Sequence, residues 1–338
     1  MTAFASIADF EVALARPRNI DGEAQEAARA RQMTLTKPAG SLGRLEDIAI
    51  FFAGWQSRER PRLDRARAAV FAGNHGVAVH GVSAFPSTVT AQMVANFEAG
   101  GAAINALSTT AGLELQIVAL DLDRPTADFT AGPAMTRAEC LDALNAGAAV
   151  VDEGIDMIVL GEMGIANSTA AAALCARSFG GTAADWVGPG TGVDSEGVAR
   201  KAEVVERAVA VHAHAGRSAF ETLRRVGGRE TAAIAGAAVR ARQLGVPVLL
   251  DGFICCAAIA PLASDNPEIA DHCIAGHCSA EPGHVLLLEK LGLDPLLSLG
   301  MRLGEGSGAA VAAGVVRASL AAHDRMATFA EAAVSASL

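Results

Sequence analysis

Five short runs of small and branched apolar residues constrain this chain more than any other feature. They are AAVFA (Ala68–Ala72), LQIVAL (Leu115–Leu120), DMIVL (Asp156–Leu160), VPVLL (Val246–Leu250) and CIA (Cys273–Ala275). None alternates polar with apolar, so each reads as a strand buried on both faces, the habit of parallel sheets. Ala-rich stretches such as Thr136–Glu153 and Arg200–Leu223 lie between them and read as helices. That alternation predicts an α/β chain with a Rossmann-like, doubly wound, mostly parallel sheet. Residues before about Arg60 and after about Leu299 read mainly as helices. We therefore expect a large α/β domain over 60–299 and a small helical domain built from 1–59 and 300–338.

In such sheets ligands bind beyond the carboxyl ends of the strands. The residues that follow the five runs are GNHGV, DLD, GEMGIANST, DGF and GHCSAEPGH. Glycines and polar groups thus gather along one edge of the sheet, as an enzyme's site requires.

Several function classes fall away on charge and hydropathy. The formal net charge is −10, and the densest basic stretch, RERPRLDRAR (Arg58–Arg67), is interleaved with acids. No nucleic-acid footprint follows from that. The most apolar candidate span, Val246–Ala263, holds Asp251 and two prolines, so no membrane segment is expected. The N-terminus lacks the charged start and apolar run of a signal peptide. Six cysteines at irregular spacing form no disulfide framework, which points to a reducing, cytoplasmic compartment.

Four segments can carry chemistry. In GEMGIANSTA (Gly161–Ala170) a strand passes into a helix expected to begin near Thr169, with Asn167, Ser168 and Thr169 as cap types. A helix start of this kind offers free N–H groups to a phosphate, although an ordinary capped helix has the same appearance. Glu162, at the strand's end beside that site, favours the catalytic reading. GPGTGVDSEG (Gly188–Gly197) is a second Gly-rich loop, without the dinucleotide fingerprint, and Lys201 beyond it can reach a phosphate or simply be solvated. In AGNHGVAVHGVSAFPSTVTAQMV (Ala72–Val94), Phe85 and Met93 can be core or can wall a flat apolar ligand. His75, His277, Cys278 and His284 lack the spacing of a zinc site, so no metal is expected. In MRLGEGSGAAVAAGVV (Met301–Val316), Glu305 stands between glycines just before an apolar helix. The helix dipole alone favours an acid there, but Gly304, Gly306 and Gly308 also open space around the carboxylate.

Taken with TKPAGSLGRLEDIA (Thr36–Ala49), GPGTGVD, HCSAEPGH and MATF (Met326–Phe329), these segments resemble, in order, the nicotinate-nucleotide–dimethylbenzimidazole phosphoribosyltransferase family of cobalamin biosynthesis. The resemblance implies transfer of phosphoribose from nicotinate mononucleotide to 5,6-dimethylbenzimidazole, with inversion at C1′, by a homodimer that needs no cofactor. It implies Glu305 as the catalytic base and Glu162 as the second active-site acid. Gly164, Ile165, Ala166, Asn167, Ser168 and Thr169, with Lys201, take the phosphate position. Ser83, Phe85, Gln92 and Met93 fall where the family holds the base. Gly190 and Gly192, with Leu303, Gly304 and Gly306, complete the expected substrate contacts. Three positions depart from the family pattern: Asn74 where Asp is frequent, Ala166 where Gly is usual, and Cys278 where Arg is common.

Two rival readings are kept. One is a transferase that uses phosphoribosyl pyrophosphate, whose paired acids AVVDEG (Ala149–Gly154) imitates, though here the acids precede the strand. The other is a non-catalytic module that binds a base or nucleotide.

Overall fold

In the computed structural model, which describes residues 2–335, the chain opens with helices α1 (Ile7–Ala15), α2 (Gly22–Thr34) and α3 (Arg44–Gln56). Strand β1 (Ala66–Ala72), α4 (Thr88–Glu98), α5 (Ala103–Ala111) and β2 (Glu114–Ala119) follow. Next come α6 (Arg137–Ala148), β3 (Met157–Met163), α7 (Asn167–Phe179) and α8 (Ala183–Trp186). Helices α9 (Ser195–Val211), α10 (Ala219–Val226) and α11 (Arg229–Leu244) lead to β4 (Val248–Leu250) and α12 (Phe253–Asp265). Strand β5 (Cys273–Ala275), α13 (Pro282–Leu291) and α14 (Ser307–Arg325) complete the chain. No helix among the described residues is long and apolar enough to cross a membrane.

All five apolar runs are strands, and all pair in parallel in the order β2-β1-β3-β4-β5. For β1, β3, β4 and β5 the apolar character has the expected cause, whereas β2, at the sheet edge, is half-buried with both ends exposed, so burial on both faces does not explain its run. Ala68, Val70, Met157, Val159 and Leu249 face one core with α3, α5 and α14. Their neighbours Ala69, Phe71, Ile158, Leu160, Val248 and Leu250 face the other, against α6, α7, α11 and α12. Adjacent side chains on a strand point to opposite faces, so a sheet covered on both sides has no polar positions to alternate.

Helix α3 packs with α2 and with α14 from the other end of the chain, and Arg31 of α2 donates to the His323 carbonyl of α14 at 2.9 Å. Both α3 and α14 share their core with the sheet, whereas α1 sends Phe10 and Leu14 into the opposite core. Helix α6 lies unusually close to α11, because a Cβ at Gly147 would fall 1.7 Å from the Ala233 carbonyl oxygen and one at Gly236 1.9 Å from that of Leu144.

The expected helix over Arg200–Leu223 is two helices instead. Asp194 caps the start of α9 through the Gly197 N–H, and the helix stops at Val211. The buried Arg177 guanidinium then gathers the carbonyls of His212 (2.7 Å), Ala215 (3.2 Å) and Gly216 (2.6 Å). A side chain from α7 thereby satisfies acceptors that a continuing helix would have used. Ser218 restarts the chain as the cap of α10. The stretch Thr136–Glu153 also shortens: Thr136 is a cap, in a capping box with Glu139, and the helix ends at Ala148.

Strand order places the topological switch between β1 and β3, where a crevice is expected. Here that crevice is occupied. Glu230 of α11 binds His75 at 2.7 Å, both side chains fully buried, and Glu230 sits against Gly73 at the end of β1. The open cleft lies one step along the sheet, over the ends of β3, β4 and β5.

Candidate active site

Strand β3 runs three residues further than its apolar run and carries Glu162 within it. Beside Glu162, Gly161 has no room for a side chain: a Cβ would stand 2.6 Å from the Gly306 nitrogen and 2.7 Å from the Glu305 carbonyl carbon. The turn before α14 therefore lies flat on the end of β3. It does so through three consecutive residues of positive φ, Gly304 (84°), Glu305 (64°) and Gly306 (81°). Two of these glycines are needed for that path, and a non-glycine residue there carries a strain of about 1–2 kcal/mol. The Glu305 N–H donates to the Glu162 carbonyl at 3.2 Å, which sets the two acids side by side.

A third acid completes the floor. Asp251, fully buried at the end of β4, accepts from the N–H groups of Gly306 (3.2 Å) and Ala309 (2.9 Å). Burial pushes Glu162 up to about 8, with the Asp251 charge adding to it, while Asn167 donates to its carboxylate and works against the rise. Burial also raises Asp251, to about 7, held back by the N–H groups of Ala309, Gly306 and Gly308. Glu305 is raised by burial and then by Asp251.

This has a consequence for the ligand-free protein. An unfolded Glu162 releases its proton near 4.5, whereas the folded one keeps it to about 8. Between those values the native state holds the extra proton, so stability present at low pH is lost as pH rises through the window. The limiting slope is about 1.4 kcal/mol per pH unit. We expect Glu162→Gln to flatten the fall in Tm between about pH 5 and pH 8, measured by thermal denaturation; a slope equal to that of the unmutated protein would refute the assignment.

The part of the cleft beside the α7 start suits an anion. Ala166 takes the N-cap position of α7 at φ 75° and gives no side-chain cap, so the helix begins at Asn167 rather than near Thr169. The Asn167 and Thr169 N–H groups already donate to the Gly164 (3.2 Å) and Ala166 (3.1 Å) carbonyls, so what the α7 start presents to the cleft beside Ser168 is the positive end of the helix dipole. Lys201, buried on α9, donates to Ser168 Oγ (3.1 Å) and the Gly188 carbonyl (3.0 Å). Burial lowers its pKa, and Glu281 partly offsets this. Arg302 donates to the Gly190 carbonyl at 3.0 Å. A Cβ at Gly190 (φ 56°) would lie 2.9 Å from Lys201 Nζ.

The cleft is a partly open groove over the ends of β3, β4 and β5. Of the residues expected from the sequence, Glu162, Gly164, Ile165, Asn167, Ser168, Gly190, Leu303 and Gly304 line it. Glu305 and Gly306 lie directly behind Gly304, while Ala166 and Thr169 are buried beneath the helix start. Gly192 does not line the cleft, but its neighbour Thr191 does. Ser83, Phe85, Gln92 and Met93 also stand outside it. The Ser83 hydroxyl accepts the Phe85 N–H (3.3 Å), Phe85 is 49% exposed, and Met93 leans on the sheet core. Helix α4 is nonetheless tied to the site, since Thr90 Oγ1 accepts the Ile165 N–H at 3.2 Å.

Phe253, His277, Ser279, Glu281 and Arg302 line the cleft without having been singled out as substrate contacts. The segments DGF and GHCSAEPGH pointed to most of them, but nothing in the sequence says which polar residue of a loop turns inward. His277 and His284 have partners of another kind than a metal: His277 Nε2 lies 3.6 Å from Asp251, and His284 accepts the Ser279 N–H at 2.9 Å. Among the departures, Asn74 donates to the Leu122 carbonyl (3.0 Å) and Cys278 lies outside the cleft. Ala166 matters more, because it holds a left-handed conformation that glycine adopts without strain. The paired acids of AVVDEG sit before β3, at the opposite sheet edge, where Asp152 binds Arg67 at 2.8 Å.

A family model described as phosphoribosyltransferase matches residues 18–334. A protein of Novosphingobium aromaticivorans named nicotinate-nucleotide–dimethylbenzimidazole phosphoribosyltransferase is 68% identical over 99% of each chain. One of the same name from Mesorhizobium japonicum is 57% identical over 92% of this chain and 93% of its own. The crystal structure of CobT from Thermus thermophilus superposes with a TM-score of 0.88 at 42% identity, over 93% of this chain and 100% of that one. On sequence and on fold alike, this chain belongs to the nicotinate-nucleotide–dimethylbenzimidazole phosphoribosyltransferase family.

Proposed function

We propose that the protein transfers the phosphoribosyl group of nicotinate mononucleotide to 5,6-dimethylbenzimidazole, giving α-ribazole 5′-phosphate and nicotinate. One observation carries this reading. A single cleft is lined by the buried acid Glu162 and by Asn167 and Ser168 of the α7 start, with Glu305 just behind Gly304 and the buried Lys201 bonded to Ser168. Phosphate bound at the α7 end, with Gly164–Thr169, Gly190 and Gly192 around it, positions C1′ by binding energy remote from the reacting bond.

The chemistry then follows from the substrate. The C1′–N bond is already made to a cationic pyridinium, so its electron pair returns to the ring nitrogen and nicotinate leaves neutral at that atom. A benzimidazole nitrogen attacks C1′ from the opposite face, which inverts the β linkage to α. As the new bond forms, the remaining ring N–H becomes acidic, and the Glu305 carboxylate takes its proton. Glu162 gives up its own proton when the cationic nucleotide enters, because a neighbouring positive charge favours the carboxylate, and then stabilises the charge that develops on the ribose. Leu303, Gly304 and Gly306 shape the wall beside C1′. Ser83, Phe85, Gln92 and Met93, on the segment that Thr90 ties to Ile165, close over the base.

We also read 1–59 with 300–338 as a small helical unit on a catalytic unit of 60–299, supported by the packing of α3 on both α2 and α14 and by the Arg31–His323 hydrogen bond. The family resemblance supports a homodimer, and six free cysteines support a cytoplasmic setting. The test is to incubate the protein with nicotinate mononucleotide and a panel of benzimidazoles, imidazoles and purines. Mass spectrometry and NMR of the anomeric proton then identify the riboside. An α-riboside phosphate with release of nicotinate is expected; a β product, no transfer, or dependence on magnesium and phosphoribosyl pyrophosphate overturns the reading.

A further inference from the structure

The Glu305 turn is held in a conformation its own sequence does not favour, and the group that holds it comes from elsewhere in the fold. Helix α14 begins at Ser307 with Gly306 at its N-cap, so no side chain of its own can satisfy the first N–H groups. Asp251, 55 residues away in sequence, does this: Oδ2 accepts from Gly306 and Oδ1 from Ala309. A cap supplied by another element fixes where the helix start sits, not merely whether it forms. On the other side of Glu305, the Glu162 carbonyl takes the Glu305 N–H at 3.2 Å. The strained residue is thus clamped between β3 and β4.

The His277 ring completes the clamp. Its Nε2 stands 3.6 Å from Asp251 Oδ1, and its Nδ1 has no hydrogen-bond partner. Two glycines admit the ring between α14 and β4. A Cβ at Gly308 would lie 2.1 Å from His277 Cδ2, and one at Gly252 3.3 Å from Nε2. Asp251 itself does not reach the cleft, whereas Gly252 and His277 on either side of it do.

We infer that Asp251 is the positioning residue of this site: it holds the start of α14 so that the Gly304–Gly306 turn keeps the Glu305 carboxylate over the end of β3. This rests on Glu305 being the base. Asp251 also acts on Glu305 through space. The ionisable groups around it are Glu162 on β3, Glu305 before α14, His277 after β5, and Cys255 and Cys256 on α12; Glu230 of α11 faces Glu162. Its negative charge raises both glutamates. Removing the charge therefore moves the ionisation of Glu305 to lower pH.

The experiment compares Asp251→Asn, Asp251→Ala and Glu305→Gln in the full-length protein. The measurements are kcat, KM, the pH profile of kcat, and the Kd of nicotinate mononucleotide by calorimetry. A displaced base of this kind lowers kcat by about 10- to 100-fold. We expect that loss in both Asp251 variants, with Kd changed less than about threefold, and an acid limb shifted to lower pH in Asp251→Asn. Either of two results overturns the inference: a kcat within about twofold of the unmutated enzyme, or kcat and Kd lost together with the acid limb unmoved, the mark of a purely structural residue. Should Asp251→Ala fail to fold, Asp251→Asn, which keeps one acceptor and the shape, decides on the same readouts. A Glu305→Gln enzyme with near-normal kcat refutes the base itself; loss in Glu305→Gln with unaffected Asp251 variants refutes only the positioning role.

Discussion

Replacing Glu305 by glutamine is expected to lower kcat by about 100- to 10,000-fold, the range over which a positioned general base contributes, while leaving the Kd of nicotinate mononucleotide nearly unchanged. The asymmetry has a structural cause. Glu305 lies behind Gly304 and makes no hydrogen bond to Lys201, whose partners are Ser168 and Gly188. Glutamine keeps the shape and the backbone bond to Glu162 but cannot accept a proton. Steady-state kinetics with calorimetry on the same preparation checks this. A glutamine variant within tenfold of normal kcat, or one that loses the nucleotide along with the rate, would remove Glu305 from the role of base.

Lys201→Met should act in the opposite sense, on binding rather than on rate. The ammonium is buried, and its contacts, Ser168 Oγ and the Gly188 carbonyl, are both neutral. Burial penalises the ammonium and lowers its pKa, and the Glu281 carboxylate offsets this only in part. A phosphate adds a further counter-charge. Hydrogen bonds to charged groups contribute about 1.5–3 kcal/mol, so KM for nicotinate mononucleotide should rise about 10- to 100-fold, with KM for the base changed little. The sharper measurement compares nicotinate mononucleotide with nicotinate riboside, which lacks the phosphate. The unmutated enzyme should prefer the nucleotide strongly and Lys201→Met should lose most of that preference; an undiminished preference would place the phosphate elsewhere.

The two residues at the centre of these predictions were legible in the sequence for different reasons. Glu305 stood out because three glycines surround it, and the structure gives two of them, Gly304 and Gly306, positive φ angles that glycine adopts without strain. Lys201 was ambiguous, since a lysine after a Gly-rich loop is usually solvated; its burial against Ser168 excludes the solvated reading. Asp251 was visible merely as the acid in DGF. Its importance depends on the start of α14, and no local pattern connects residues so far apart.

The strands were the most readable part of the fold, because burial on both faces removes polar residues from a strand and leaves an uninterrupted apolar run. Helix ends were less so. The break after Val211 is made by Arg177 from α7, which takes carbonyls that the local sequence would have left to the next turn. The sequence by itself therefore determined the parallel sheet, the edge on which the site lies and both glutamates, since these follow from periodicity and from glycine's freedom at particular turns. Tertiary structure alone decided that His75 and Glu230 occupy the switch-point crevice, that the cleft opens over β3 to β5 instead, and that Asp251 caps the start of α14 next to Glu305. Those outcomes rest on contacts between distant segments, whose energies depend on the packed arrangement rather than on any stretch of chain.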